Sequence, residues 1–275
     1  MHGLGNDFVV LDGRREKVTI DAAVARALAD RHTGIGCDQL IVIEAPRLPA
    51  AQAFMRIINA DGSEAEACGN AARCIARLLA HETGDRRVRL ETLAGLLDAE
   101  LLPDGRVAVD MGPARTLWRD IPLARDMDTL SVALALGSLS APVCTNIGNP
   151  HATFFVADAD AVDLAGLGPR LEHDKLFPER ANIGVATVLD RARIRLRVWE
   201  RGAGITLACG SGACAALVAA HRRGLTGRHA TVALDGGDLD ILWRPDGEKG
   251  DGHVVMTGPA TLAFEGSVDA ALLAG

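Results

Sequence analysis

The chain has 275 residues, a length that is large for one compact domain and predicts about two. Hydrophobic residues make up 48% of it and charged residues 24%, which excludes a disordered chain. The formal charge of −7 has the wrong sign for a protein that binds nucleic acid through its phosphates.

The hydrophobic pattern predicts an α+β protein. In chain order, it indicates strands over 7–11 and 39–43, a helix over 71–80, and a hairpin over 95–110 that turns at a Pro-Asp-Gly. Strands over 153–156 and 193–199 follow, then a helix over 213–223 that ends before Gly224, then a strand over 238–243 that leads to a second Pro-Asp-Gly. These elements predict a mostly antiparallel sheet wrapped around a central helix, made twice.

Short peptides recur in the same order in both halves of the chain. The repeated strings are Ala-Cys-Gly (67–69 and 208–210), Pro-Asp-Gly (103–105 and 245–247), Gly-Pro-Ala (112–114 and 258–260) and, more weakly, Gly-Asn (5–6 and 148–149). Four collinear matches are hard to obtain without duplication, and the polar insert at 248–252 explains the longer last spacing as an extended hairpin loop. We expect two pseudo-symmetric domains, 1–116 and 117–275, with the last ~10 residues free to return to the first.

The duplicated cysteines carry the chemical signal. Cys68 and Cys209 each precede a predicted helix, with Asn70 and Ser211 as the expected N-caps, and a helix N-terminus lowers the pKa of a thiol. With no C-x-x-C pair in the sequence, we expect reduced thiols in a cytoplasmic protein. The remaining cysteines, Cys37, Cys74, Cys144 and Cys214, are expected to be buried and inert.

Matched thiols suit the inversion of a stereocentre. If the two halves face each other, one thiolate removes a proton from one face of a carbon and the opposite thiol delivers a proton to the other. Such a reaction needs neither a cofactor nor a metal. Unpaired N–H groups at the two helix N-termini would bind the carboxylate of the substrate. The chain has no segment of about 18 apolar residues and no signal-peptide pattern, so we expect no membrane partner.

The sequence resembles the diaminopimelate epimerase family over essentially its whole length. The strings that carry the resemblance are MHGLGNDFVVLD, GIGCDQLIVIE, NADGSEAEACGNAARC, GNPHATFFV, ERANIGV, WERGAGITLACGSGACA and the terminal MTGPA with FEG. The resemblance implies an epimerase, independent of pyridoxal phosphate, that interconverts LL- and meso-2,6-diaminopimelate on the way to lysine and peptidoglycan. It also implies a pseudo-symmetric two-domain fold, closure over the substrate and a homodimer.

The resemblance also implies roles for individual residues. Cys68 and Cys209 match the two acid and base cysteines of the family, and His151 and Glu200 match residues that tune them. The implied substrate contacts are Asn6, Gln39, Asn59, Gly69, Asn70, Asn149, Asn182, Glu200, Arg201, Gly210 and Ser211. Arg201 can bind a carboxylate through two parallel hydrogen bonds, and the amides suit a substrate with an ammonium and a carboxylate at each end.

Plainer interpretations of several of these residues stay open. Asn59 and Asn149 lie in ordinary turn sequences, and His151 beside a proline suits a core or surface histidine. Glu200 and Arg201 suit an exposed charge pair.

The sequence departs from the common family pattern at two positions. Ala71 stands where the family motif has glycine, and Ile205 stands where the family often has an acidic residue. The extra methyl of Ala71 is compatible with a helix. The missing carboxylate near Cys209 bears on local charge and substrate preference.

Three rival functions are compatible with the sequence, the weakest of them a non-enzymatic binding module, which gives no reason for matched thiols. A racemase or epimerase of proline, hydroxyproline or histidine would use the same paired cysteines, but proline and hydroxyproline have no second amino-acid head for Arg201 to bind. A thiol-redox protein would form a disulfide in each turnover, whereas an epimerase keeps both sulfurs reduced.

Overall fold

The computed structural model describes residues 1–247, 250–269 and 272. Contacts between residues divide the chain into two compact units: unit 1 comprises Met1–Val109 and Gly258–Gly275, and unit 2 comprises Asp110–Thr257. The assignment of two domains with a boundary between residues 116 and 117 stays a prediction. Of the chain end expected to return to the first half, residues 270, 271 and 273–275 lie outside the described residues, and Leu272 packs against the core beside the first helix of unit 1.

In the part of unit 1 that the structure describes, two helices accompany the strands. Its elements are β1 (His2–Gly3), β2 (Asn6–Asp12), α1 (Ala22–Ala29), β3 (Gln39–Glu44), β4 (Ala53–Asn59), β5 (Glu64–Ala65), α2 (Gly69–Thr83), β6 (Arg87–Thr92), β7 (Gly95–Leu101) and β8 (Val107–Pro113), whose residues from Asp110 onward belong to unit 2.

Unit 2 has the same composition of elements with some short additions. Its elements are β9 (Ala135–Leu136), β10 (Leu139–Ser140), β11 (Val143–Asn146), β12 (Pro150–Phe155), α3 (Leu164–Glu172), β13 (Asn182–Asp190), β14 (Arg193–Glu200), β15 (Gly204–Ile205), α4 (Gly210–Arg222), β16 (His229–Leu234), β17 (Gly237–Trp243), β18 (Asp246–Gly247), β19 (Gly250–Asp251) and β20 (His253–Gly258).

The two units have the same strand order and the same strand directions. In unit 1 the order is β1-β2-β3-β4-β6-β7-β8, with β5 beside β4, and in unit 2 it is β11-β12-β13-β14-β16-β17-β20, with β15 beside β14. The pairs β2–β3 and β4–β6 are parallel, as are β12–β13 and β14–β16, and the other pairs within these paths are antiparallel. The predicted α+β fold and its repetition are confirmed.

The strands of each unit pack on the helix that follows its duplicated cysteine. Helix α2 contacts β1, β6 and β7, and it buries Cys74, Ile75 and Leu79. Helix α4 contacts all six long strands from β11 to β17 and is buried along almost its entire length. The burial of apolar side chains, such as those of α4, is the main favourable contribution to folding. Gly224 follows α4 with φ +70, as its predicted role at the helix end requires.

The helix starts differ from the sequence prediction. Asn70 and Ser211 were the expected N-caps, but α2 begins at Gly69 and α4 at Gly210, so the cap positions are Cys68 and Cys209 themselves. Both cysteines have an extended backbone, and their carbonyls accept the first helical hydrogen bonds, from the amide nitrogens of residues 72 and 213 at 2.9 and 3.0 Å. Extended backbone with an accepting carbonyl is the conformation of an N-cap. Each thiol therefore lies closer to the helix N-terminus than expected.

The two predicted Pro-Asp-Gly hairpins differ in their loops. In unit 1 the turn closes directly, with Gly105 N donating to Leu102 O at 3.0 Å and Gly105 at φ +83. In unit 2 the strands β17 and β20 pair across an insert that forms the small ladder β18–β19. Residues 248 and 249 of that insert lie outside the described residues. Among the described residues, no helix is both long and apolar enough to span a membrane.

Candidate active site

In unit 1 the first duplicated cysteine lies among amide side chains. Cys68 is half-buried at the N-terminus of α2, and its Sγ lies 3.9 Å from Asn6 Oδ1. Asn70 Nδ2 donates to the same Asn6 oxygen at 3.1 Å. The structure thus brings together three of the residues predicted for the site, with Gly69 opening the helix between Cys68 and Asn70.

A charged network fixes the orientation of the Asn6 amide. Asn6 Nδ2 donates to Asp38 Oδ2 at 2.8 Å, which directs the amide oxygen toward Cys68 and Asn70. Arg31 in turn bridges Asp7 and Asp38, each at 2.8 Å. An asparagine side chain can place either its oxygen or its nitrogen at a given point, and a carboxylate partner decides which. Asp38 is not among the residues predicted from the sequence, although it lies within the GIGCDQ string.

Gln39 and Asn59 form a second pair in unit 1. They are directly opposite in the β3–β4 register, and Gln39 Nε2 donates to Asn59 Oδ1 at 2.9 Å. Asn59 Nδ2 donates to Ser63 Oγ at 2.9 Å, and its carbonyl accepts from Gly62 N at 2.9 Å, with Gly62 at φ +92. Asn59 is therefore a turn former and also presents an ordered side-chain amide.

In unit 2 the second duplicated cysteine is deeply buried. Cys209 is 3% exposed, and its Sγ accepts a hydrogen bond from Gly212 N at 3.4 Å and lies 3.7 Å from Ser211 Oγ. Burial and, after it, the negative charge of Glu200 raise the pKa of the Cys209 thiol well above its usual value. The predicted lowering of this pKa is wrong, because burial and a neighbouring carboxylate outweigh the donors of the helix N-terminus. In this state Cys209 is a thiol at neutral pH.

Glu200 and Arg201, adjacent in sequence, have different surroundings. Glu200 is half-buried, accepts a hydrogen bond from Thr206 Oγ1 and acts electrostatically on Cys209. Arg201 is exposed, and its Nη1 donates to Glu179 O at 2.9 Å. They are not an exposed charge pair. Ile205, where the family often has an acidic residue, is 41% exposed in β15.

Asn182 connects the starts of two strands with the turn after β14. Its Nδ2 donates to Pro150 O at 3.0 Å, and its Oδ1 accepts from Arg201 N at 2.9 Å. Asn182 is 2% exposed, so both hydrogen bonds are shielded from water.

His151 is a neutral core residue. It is 1% exposed, and burial, followed by the positive charge of Arg201, lowers its pKa to about 3. Its Nε2 lies 2.8 Å from Asn149 Oδ1, so the neutral ring donates from Nε2 and fixes the Asn149 amide. His151 acts on its surroundings through this hydrogen bond and not through a charge.

The predicted site residues occupy equivalent register positions in the two units. Gln39 pairs with Asn59 across β3–β4, and continuing the β13–β14 register by one residue from the pair Ile183–Trp199 brings Asn182 opposite Glu200. Phe8 pairs with Gln39, and His151 with Asn182, across the parallel pairs β2–β3 and β12–β13. Asn6, Gln39 and Asn59 therefore correspond to Asn149, Asn182 and Glu200. The duplication therefore extends from the cysteine motif to these three pairs of candidate ligands.

Comparison with known proteins identifies the family of the chain. The sequence model of the family described as diaminopimelate epimerase matches residues 1–117 and 143–263. A diaminopimelate epimerase of Rhodospirillum centenum is 61% identical over 275 residues, covering 100% of this chain and 93% of the relative, and one of Acidiphilium cryptum is 59% identical, covering 100% and 96%. The chain belongs to the diaminopimelate epimerase family. It is therefore an enzyme, an isomerase of the epimerase type.

Solved structures outside the diaminopimelate epimerase family share its fold. A hydroxyproline epimerase from Agrobacterium vitis, solved with bound trans-4-hydroxy-L-proline, superposes with a TM-score of 0.66 at 16% identity, covering 94% of this chain and 86% of that one. A probable proline racemase from Agrobacterium radiobacter, solved with bound carbonate, gives a TM-score of 0.65 at 17% identity, covering 96% and 92%. At these identities the likeness concerns the fold alone.

The described residues contain no group of three or more His, Cys, Asp or Glu side chains placed to hold a metal ion. The remaining cysteines, Cys37, Cys74, Cys144 and Cys214, are buried as predicted, and burial raises the pKa of Cys74 and of Cys144 to about 12. Chemistry near neutral pH is thus not expected from Cys74 or Cys144.

Proposed function

We propose that this member of the diaminopimelate epimerase family interconverts LL- and meso-2,6-diaminopimelate, with Cys68 and Cys209 as a pair of acid and base. The observation that carries the proposal is the repeated frame: a cysteine at the N-cap of a central helix, with candidate ligands at equivalent strand positions, in each unit. No cofactor is needed, because both proton transfers are made by side chains of the chain itself.

The reaction needs a base on one side of the α-carbon and an acid on the other. One thiolate takes the α-proton, the electron pair stays on carbon as a carbanion, and the opposite thiol gives its proton to the other face. After one turnover the two sulfurs have exchanged protonation states, so the reverse reaction uses them in swapped roles. This proposal requires that both sulfurs reach one carbon. Burial and the Glu200 carboxylate favour the thiol form of Cys209, so we assign Cys209 the acid in the described state, which leaves the base to Cys68.

The backbone at the two helix starts suits the reacting carboxylate. The first N–H groups of a helix have no partner within it, and they carry the positive end of the helix dipole. We assign the N–H groups of Gly69, Asn70, Gly210 and Ser211 to the carboxylate next to the reacting carbon. Their hydrogen bonds strengthen as negative charge develops there, which is the requirement for lowering the barrier.

The exposed side chain of Arg201 suits the distal end of the substrate. Diaminopimelate carries a second ammonium and carboxylate there, which need acceptors and donors respectively. A guanidinium has five N–H donors, more than the Glu179 carbonyl can occupy, so Arg201 retains donors for a carboxylate. The carbonyl oxygens of the candidate asparagines and Gln39 suit the ammonium. The closure, the homodimer and the cytoplasmic location implied by the family resemblance stay predictions.

Isotope incorporation tests the function and the mechanism together. The enzyme is incubated with LL-diaminopimelate in D2O, and isomer composition and α-carbon deuterium are followed at early times. If each thiol carries a single proton, the meso product should carry deuterium at the inverted carbon. The recovered LL substrate should carry almost none. Cys68→Ala and Cys209→Ala should each abolish formation of the meso isomer. The matched controls Cys74→Ala and Cys214→Ala, one in each helix, should keep it.

Several outcomes would contradict the proposal. A wild-type enzyme that forms no meso product but inverts proline or trans-4-hydroxyproline has another substrate. Deuterium appearing equally in recovered substrate and product indicates a single base that serves both faces. Peroxide-driven turnover with a disulfide between Cys68 and Cys209 would favour the thiol-redox function. Full activity in either cysteine variant would exclude that residue from the chemistry.

A further inference from the structure

A buried carboxylate lies beside the turn that carries Glu200 and Arg201. Glu172, the last residue of α3, is 3% exposed. One of its oxygens accepts from Trp199 Nε1 at 2.8 Å, the other accepts from Gly202 N at 3.1 Å, and Arg180 Nη1 lies 3.6 Å away. Buried carboxylates are rare unless they are paired and hydrogen-bonded, so this set of contacts keeps Glu172 in place.

The two hydrogen bonds of Glu172 span the residues assigned to the substrate. Trp199 precedes Glu200, and Gly202 follows Arg201, so the carboxylate contacts the chain on both sides of the pair. The turn is closed by Ala203 N, which donates to Glu200 O at 3.1 Å, with Gly202 at φ +77. A positive φ at the third residue is typical of a type II turn and requires glycine.

The Trp199 indole is fixed by packing as well as by its hydrogen bond. A Cβ on Gly168 of α3 would lie 2.6 Å from the ring atoms Cγ and Cδ2, so the helix backbone touches one part of the ring. A Cβ on Gly204 would lie 3.6 Å from Cη2, so the strand β15 touches another. The indole cannot tilt away from Glu172 without moving one of these backbones.

We infer that Glu172 is a positioning residue, which holds the Glu200–Arg201 turn in the orientation that binds the distal end of the substrate; this inference rests on the proposed function. Glu172 itself contacts neither cysteine in the described residues and acts through Trp199 and Gly202. It has no motif signal, since it lies in the string RLEHDK, which none of the repeated peptides includes.

The variant Glu172→Gln tests the inference with little change of volume. A glutamine presents one oxygen and one NH2, so one of the two buried donors, Trp199 Nε1 or Gly202 N, meets an NH2 in place of an acceptor. We expect KM for diaminopimelate to rise about tenfold or more, with a smaller loss in kcat, because displacement by a fraction of an ångström weakens binding by Arg201. Asp126→Asn, which neutralises an exposed carboxylate of the same unit, is the charge-matched control and should leave both constants unchanged.

A second variant separates positioning from folding. Trp199→Phe removes the same hydrogen bond without leaving an NH2 facing a donor, and it should also raise KM. In the double variant the rise should be no larger than in the worse single variant, because without the indole N–H the glutamine can turn its oxygen to Gly202 N and loses only the contact with residue 199. A change that only lowers the folded fraction would reduce kcat per total protein and leave KM unaltered.

The outcomes are distinguishable from those of the proposed function. Wild-type enzyme without turnover of diaminopimelate overturns the proposed function and, with it, this inference. If the wild type is active and Glu172→Gln has the same kcat and KM as Asp126→Asn, the inference is overturned and the proposed function is not. If Glu172→Gln fails to fold, an unchanged KM in Trp199→Phe overturns it.

Discussion

The close approach of α3 to Trp199 predicts that an added methyl group at Gly168 lowers the free energy of unfolding. In Gly168→Ala the new methyl would lie 2.6 Å from Cγ and Cδ2 and 2.9 Å from Cβ of Trp199. The ring cannot yield, because its Nε1 is bonded to Glu172 at 2.8 Å. Overpacking of this kind costs about 1–3 kcal/mol, and rigid atoms at such short distances favour the upper end. Alanine in place of glycine within a helix contributes about 1 kcal/mol in the opposite direction.

The net effect expected for Gly168→Ala is a loss of about 2 kcal/mol in the free energy of unfolding. For a chain of this size that corresponds to a Tm lower by about 4–8 °C. Thermal and urea unfolding followed by circular dichroism measure it. Gly227→Ala is the matched control in the same unit, because its Cβ would meet nothing closer than 3.9 Å and its φ is not positive. Equal stability of the two variants would refute the tight contact and, with it, the packing that holds Trp199.

Three further predictions concern titration and orientation. The folded pKa of His151, about 3, lies below the unfolded 6.5, so its contribution to stability is present above 6.5 and is lost as the pH falls. The unfolding free energy of wild type should drop, relative to that of His151→Gln, by about 2 kcal/mol between pH 7 and pH 5 in urea titrations; parallel curves would contradict the neutral, buried histidine. Glu200→Gln removes a negative charge that raises the Cys209 pKa, so the pH midpoint of Cys209 alkylation, measured by peptide mass spectrometry, should move downward, and an upward or absent shift would contradict this coupling. Asp38→Asn should lower kcat/KM about tenfold while changing stability by less than about 1 kcal/mol, because the exposed ion pairs add little to folding whereas the Asn6 amide loses its fixed orientation; an unchanged kcat/KM would show that another contact orients Asn6.

The fold could be predicted from sequence because its signals are local and repeated. The apolar runs over 39–43 and 193–199 became β3 and β14 almost unchanged, and Gly224 ends α4 as its conformational freedom suggests. The predicted helix starts lie a few residues after the observed ones, because small polar residues after a cysteine resemble N-caps. An extended cysteine can occupy the N-cap position itself. The parallel pairs, such as β2–β3, join strands separated by a helix, and no short-range pattern specifies them.

The pKa of Cys209 was harder to predict from the sequence than the list of residues that form the site. The position of Cys209 before a helix suggested a lowered pKa, since dipole and donors are visible in sequence. Burial to 3% exposure and the approach of Glu200 depend on the packing of α4 against the sheet, and they reverse the direction. Asp38 and Glu172 escaped notice for a related reason. Each acts on a residue far away in sequence, and the carboxylate of a positioning residue has no motif of its own.

The shared strand register has an evolutionary consequence. Immediately after a duplication, the two units carry the same charged residues around their cysteines. Identical surroundings hold the two thiols in the same ionisation state. The register position occupied by the uncharged Asn59 in unit 1 carries the carboxylate of Glu200 in unit 2. That exchange of an amide for an acid makes the charge around the two thiols different, and the carboxylate adds to burial in raising the pKa of Cys209.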